Sequence, residues 1–315
     1  MIVRLILIFL MTSGCALISG NSRRPEKQVS SVDQPVLPRA TPDNYQPTTP
    51  EPCPRYPVLF LHGLMGGSRT TYKGVTEHFE ALGCKVKVPD VSPVNSSELR
   101  GGQLVDIVRN FLKVTGAPKV NLVAHSQGGL DARFAISRLG LASSVVSLSM
   151  LSTPNRGSPL ADLALKDMTS PLSKLFISSG FGTVSDMTNS NGSDSNDTAV
   201  ALQSLSTTYL NQTFNPNVPD APGVLYQSWA ARTGPGTRDV IKLNFKLTQS
   251  YLAKQAGEND GMVPVSSASW GIFRGVLDAD HLDLTGSKAG DDAPGQFDHI
   301  QFLYRILSEL RASGY

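Results

Sequence analysis

Charge is scarce in this 315-residue sequence: Asp, Glu, Lys and Arg make up only 17%, and 28 Lys+Arg against 26 Asp+Glu leave a net charge of +2. So even a balance raises no strong positive field, which excludes the electrostatic footprint of a DNA- or RNA-binding protein. Long apolar runs are missing too. The stretch Leu5 to Met11 is too short to span a bilayer stably, and no internal repeat is visible. Cysteine is rare, with three in the chain, an odd number that leaves one thiol to be explained if the protein is exported. What is there is ordinary for a soluble globular protein. The hydrophobic fraction of 40% plus 28 Gly comes to about 49%, and the length suits one large domain.

Residues 1–14 read as a secretory signal, with Arg4 ahead of the apolar run. Small residues then lead into a cysteine, Thr12-Ser13-Gly14-Cys15. This resembles the lipobox of bacterial lipoproteins, although Leu is the commonest residue at the place of Thr12. The resemblance implies cleavage before Cys15, a lipidated Cys15 as the mature N-terminus and, because Ala16 follows, an anchor in the outer membrane. An ordinary signal peptide with an incidental cysteine is the alternative, giving a secreted or periplasmic protein. Residues 15–52 are rich in Ser, Pro, Thr, Gln and Asn with little apolar periodicity, so they read as a flexible tether. The domain proper is expected over 53–315.

Within it, Val58–Leu61, Val120–Ala124, Val145–Leu151 and Val224–Tyr226 are short apolar or β-branched runs of the kind buried parallel strands show. Amphipathic helices alternate with them. Leu99, Leu104, Ile107, Val108, Phe111 and Leu112 share one side of a helix, Leu130, Phe134, Ala135 and Leu139 do much the same, and Phe297 to Leu310 makes a last helix. The alternation predicts a mostly parallel, doubly wound α/β sheet. Cys53 and Cys84 each precede a strand-like run, so neighbouring parallel strands would bring them within bridging distance as a disulfide. The apolar stretch Pro159 to Phe181, broken at Pro171, and the polar loop Asn189 to Thr198 interrupt the pattern. A helical lid over about 159–200 is the expectation, with an insertion packed permanently on the core as the alternative.

The strongest chemical signal is Ala124-His125-Ser126-Gln127-Gly128-Gly129, placed between a strand and a helix. A serine on such a turn stands out of the sheet edge as a nucleophile, and the small residues two before and two after it avoid collision. Phe60-Leu61-His62-Gly63-Leu64-Met65-Gly66-Gly67 ends an earlier strand in a glycine-rich loop. The backbone N–H groups of Leu64 and Gln127 are the expected oxyanion donors, with His62 in a structural role. The order Ser, acid, His points to Asp260 in Glu258-Asn259-Asp260-Gly261 and to His281, the remaining loop histidine C-terminal to Ser126. Asp278, Asp280 and Asp283 compete with Asp260 as the acid.

Together with Ser152-Thr153-Pro154-Asn155-Arg156-Gly157-Ser158, Tyr226-Gln227-Ser228-Trp229 and His281-Leu282-Asp283, these motifs resemble the secreted true lipases of bacteria, subfamilies I.1 and I.2, from Tyr56 onward. The resemblance implies an α/β-hydrolase fold, the triad Ser126, Asp260 and His281, an acylglycerol or other ester as substrate, and a lipase-specific folding chaperone as partner. It also implies a structural calcium held by Asp283 and, on spacing alone, Asp239. No organic cofactor is implied. The family's disulfide beyond Asp260 has no cysteines here, and His is commoner than Asn at the place of Asn155. A short-chain carboxylesterase, a polyester depolymerase and an inactive lipid-binding envelope lipoprotein are the rival readings.

Overall fold

The computed structural model describes residues 52–179, 195–234, 245–287 and 297–315. The expected signal peptide, Cys15, most of the tether, Asp239 and part of the proposed lid lie outside the described residues.

Six parallel strands make one sheet in the order β2-β1-β3-β4-β5-β6: β1 Val58–Leu61, β2 Val86–Lys87, β3 Val120–His125, β4 Val145–Leu151, β5 Leu225–Arg232 and β6 Ile272–Asp278. All four residues of β1 and all six of β3 are buried, as befits strands covered on both faces. Alternation within β1 sorts its side chains. Val58 and Phe60 face Val75 and Phe79 of α1 (Val75–Ala81) and the C-terminal helix, whereas Leu59 and Leu61 face Leu104 and Val108 of α2 (Ser97–Thr115) and Ala135 of α3 (Gln127–Arg138). The sheet is therefore doubly wound.

Helix ends follow local chemistry. Ser96 accepts from the Leu99 N–H at 3.3 Å and Gly116 ends α2 with φ 68°, a left-handed stop that glycine adopts without strain. Leu99 itself is 44% exposed, contrary to its expected place on the buried side, because the buried face of α2 runs through Ser97, Arg100, Leu104, Val108 and Phe111 and Leu99 turns away from it.

The strand expected over Val224–Tyr226 continues to Arg232. Its polar residues do not break it because Gln227 Nε2 donates to Ser149 Oγ at 2.8 Å and Ser228 Oγ to the Trp270 carbonyl at 2.7 Å. Pro171 starts a helix rather than interrupting one. The excursion consists of α4 (Pro159–Lys166), α5 (Pro171–Ser179) and α6 (Ser195–Ser204), so residues 195–198 of the expected loop are helical, with Asp197 in the favourable first turn. Leu160, Ala161 and Ala164 of α4 are fully buried, so this first helix belongs to the core. After α7 (Lys246–Ala256) and α8 (Val265–Ala268), α9 runs over His299–Ala312 behind the Asp298 cap, which leaves Phe297 outside it.

Cys53 and Cys84 form a disulfide with Cα atoms 4.9 Å apart, possible because β1 and β2 are adjacent and parallel. Closing a loop of 31 residues restricts the unfolded chain by about 3–4 kcal/mol.

Candidate active site

The carboxyl ends of β1, β3, β5 and β6 lie along one edge of the sheet, where ligands of open α/β folds bind. Ser126 follows β3 there with φ 54° and ψ −131°, a strained conformation for a residue with a side chain. The Ser126 N–H donates to the Leu151 carbonyl at 2.9 Å. Glycines permit the turn. A Cβ at Gly128 would lie 2.7 Å from the His62 carbonyl oxygen, and one at Gly129 only 2.1 Å from Thr153 Oγ1. The serine is half-buried, and a Cβ at Gly63 would reach 2.6 Å from its Cβ and 3.1 Å from its Oγ. The loop after β1 therefore passes directly against the hydroxyl.

Among the described residues, neither the Leu64 nor the Gln127 backbone N–H has a hydrogen-bond acceptor. Gln127 opens α3, so its N–H is one of the unsatisfied donors of a helix N-terminus. The Gln127 side-chain amide is buried and donates to the Asn95 carbonyl at 2.9 Å. Arg100, fully buried, fixes the opposing loop: Nη2 donates to the carbonyls of His62 at 2.9 Å and Gly63 at 3.2 Å, while Nε pairs with Asp131 at 2.7 Å. Burial pushes the Asp131 carboxyl up to about 6 even against the attraction of Arg100. His62 Nδ1–H donates to the Gly63 carbonyl and its Nε2 accepts from the Val91 N–H. Burial, with the Arg100 charge beside it, lowers the His62 pKa to about 4. It is a neutral structural histidine, as the sequence suggests.

Asp260 and His281 meet across the far end of the same edge. His281 Nδ1–H donates to Asp260 Oδ2 at 2.7 Å. The other carboxylate oxygen accepts the N–H groups of Met262 at 2.9 Å and Val263 at 2.7 Å. Asp260 is thus wholly buried yet fully bonded. A second tie joins the loops, since the His281 N–H donates to the Asp260 carbonyl at 3.0 Å. Donation from Nδ1 leaves Nε2 as the basic atom of the neutral ring. The competing acids are engaged elsewhere: Asp278 pairs with Arg232, and Asp280 Oδ1 accepts from the N–H groups of Leu282 and Asp283.

Sequence reasoning missed the part played by His125. Its Nε2–H donates to the His281 carbonyl at 2.8 Å and the two ring centroids are 4.5 Å apart. Burial, with repulsion from His281, holds its pKa well below the usual range. The only signal was its adjacency to Ser126, which says nothing of contact 156 residues away.

Of the two aspartates the resemblance assigns to calcium, Asp283 alone lies among the described residues. Asp283 Oδ2 accepts the Asp280 N–H at 3.0 Å. Among the described residues no group of three or more His, Cys, Asp or Glu side chains is placed to hold a metal, and Asp239 lies outside them. No chemical step is routed through calcium.

Between the oxyanion loop and the helices of the excursion runs a narrow apolar crevice, lined by Leu64, Met65, Val94, Phe176, Ile177 and Leu202, among others. It lies beside one of the two free N–H groups.

The profile of the alpha/beta hydrolase fold matches residues 56–172. The triacylglycerol lipase of Pseudomonas fragi is 30% identical over 265 residues, covering 75% of this chain and 89% of that one. That of Pseudarthrobacter phenanthrenivorans is 28% identical over 314 residues, covering 82% and 98%. Among solved structures, the Bacillus licheniformis lipase BlEst2 in mature form aligns with a TM-score of 0.59 at 24% identity, over 76% of this chain and 89% of the other. The metagenomic carboxyl esterase MGS0156 aligns with 0.64 at 19%, over 82% and 76%. The chain belongs to the α/β-hydrolase lipase family. It is a serine ester hydrolase.

Proposed function

We propose that the chain is a triacylglycerol lipase acting through Ser126, His281 and Asp260 by an acyl-enzyme intermediate. The observation that carries this reading is the buried hydrogen bond from His281 Nδ1–H to Asp260 at 2.7 Å, on the sheet edge that presents Ser126. Ser126 Oγ attacks the ester carbonyl carbon while His281 Nε2 takes its proton, and Asp260 holds the imidazole tautomer and stabilises its cation. The Leu64 and Gln127 N–H groups receive the oxyanion, each donor contributing about 2.7–4 kcal/mol to the transition state. Collapse expels the alcohol with the proton from His281. Water, deprotonated by His281, then attacks the acyl-enzyme and frees the acid and Ser126.

The apolar lining beside Leu64 supports a fatty acyl chain as the group bound there, and α5 and α6, which contribute Phe176, Ile177 and Leu202 and leave only a narrow crevice, serve as its cover. We extend the proposal to an exported lipoprotein anchored through Cys15; a Cys15→Ala variant then loses membrane association and the mass of the acyl chains.

The test is hydrolysis of p-nitrophenyl esters of two to sixteen carbons and of emulsified triolein by wild type and Ser126→Ala. Serine-dependent hydrolysis of triolein and long esters is expected. Activity confined to short esters makes the chain a carboxylesterase instead, and activity that survives Ser126→Ala overturns the mechanism.

A further inference from the structure

The loops that carry Asp260 and His281 meet at the end of β5, and one side chain stands between them. Arg232 is the last residue of β5 and pairs in register with Asp278, the last of β6. Its Nε donates to Asp278 Oδ1 at 3.0 Å, and its Nη1 forms a close ion pair with Glu258 Oε1. Glu258 comes two residues before Asp260, and Asp278 three before His281. The main chain joins the same knot: the Arg232 carbonyl accepts from the Ala279 N–H, and the Thr233 N–H donates to the Asn259 carbonyl, both at 3.0 Å.

We propose that Arg232 is a positioning residue for the Asp260–His281 pair: its guanidinium draws Glu258 and Asp278 together and so fixes the distance between the two loops. The proposal rests on the reading that Asp260 and His281 take part in hydrolysis.

Without this cation, two carboxylates at the roots of the two loops repel each other. A guanidinium fork can serve both at once, which the single ammonium of a lysine does less well. The side chains are 15% exposed for Arg232, 25% for Asp278 and 58% for Glu258. Ion pairs this open add little to stability. Their effect on alignment is another matter, because a misplacement of about 1 Å in reacting groups can lower the rate about a hundredfold. A positioning role therefore predicts a loss in kcat that the loss in stability does not match, and it spares substrate binding, since none of the three residues lines the acyl crevice.

The experiment compares wild type with Arg232→Gln, Arg232→Lys, Glu258→Gln, the double variant Arg232→Gln/Glu258→Gln, and Asp260→Asn. It measures kcat and KM on p-nitrophenyl butyrate and Tm by calorimetry. Expected for Arg232→Gln is a fall in kcat of about tenfold to a hundredfold, with KM within about twofold of wild type. Arg232→Lys recovers part of the loss. The double variant falls less than the product of the two single effects, as coupled residues do. If Arg232→Gln fails to fold, Glu258→Gln, which cuts one arm at an exposed residue, still lowers kcat several-fold at unchanged KM. Wild-type kcat in Arg232→Gln, or a loss that appears in KM, overturns the proposal while leaving the Ser-His-Asp reading intact. Wild-type kcat in Asp260→Asn overturns that reading and this proposal with it.

Discussion

Around Ser126 the chain is held by steric contact and one buried cation; around His281 it is held by a mesh of hydrogen bonds. On the first side, Gly63, Gly128 and Gly129 admit backbone or side-chain atoms where a Cβ would collide, and Arg100 gathers the His62 and Gly63 carbonyls. On the second, Asp260 takes three hydrogen bonds, Asn259 ties its loop to neighbouring backbone, and His125 reaches across from β3. A hold concentrated in a few atoms should fail sharply when one is changed. A distributed one should fail by degrees when a single bond is cut, the exception being Arg232, which gathers two arms of the mesh.

The largest effect is expected from Arg100→Met, which leaves the Asp131 carboxylate buried without its partner. Loss of one member of a buried ion pair costs about 3–5 kcal/mol, and urea unfolding at pH 8 should show it. The loss should shrink as pH falls towards 6, because Asp131, pushed up to about 6 by burial even beside Arg100, takes a proton at higher pH once that cation is gone.

Next comes the pH dependence set by His62. Its pKa is lowered by burial, and by the Arg100 charge, from 6.5 to about 4. The unfolded chain therefore binds a proton that the folded one refuses. Stability from this group is complete above pH 6.5 and is lost as pH falls towards 4, by about 3 kcal/mol in all. Asp131 works in the opposite sense, so the readout is the difference between wild type and His62→Gln, whose acid slope should be shallower.

Gly63→Ala forces a methyl group against Ser126 and should lower kcat about a hundredfold, or about 2.7 kcal/mol in the barrier. On the other side, Asn259→Ala removes bonds to the Gln249 and Gly257 carbonyls and from the Gly261 N–H. It should cost about 1–2 kcal/mol of stability and only a few-fold in kcat. An Asn259 variant as damaged in kcat as Gly63→Ala would erase the contrast between the two sides.

The same contrast decides how much could be read from the sequence. The steric half is written locally: a strand, a small residue, a serine and two glycines lie within Ala124 to Gly129, and the loop from Phe60 to Gly67 is as compact. Periodicity of 2 and 3.6 likewise gives the parallel sheet and its helices. The polar half joins residues far apart in the chain. Arg100 to Asp131, His125 to His281 and Arg232 to Glu258 are separated by 31, 156 and 26 positions, and no local pattern signals them. Asp260 and His281 are legible as candidates through the fixed order of the fold rather than through any local pattern. Strand β5 runs past its apolar start because Gln227 and Ser228 find partners in segments distant in the chain, and the first turn of the helix from Ser195 has the polar composition of a loop.

The most direct test is labelling with a fluorophosphonate, which reacts only with a serine activated by its neighbours, followed by peptide mass spectrometry. The account predicts a single adduct on Ser126 that forms quickly in wild type and at least a hundredfold more slowly in Asp260→Asn and His281→Ala. An adduct on another residue, or labelling of Ser126 at the wild-type rate in both variants, would contradict it.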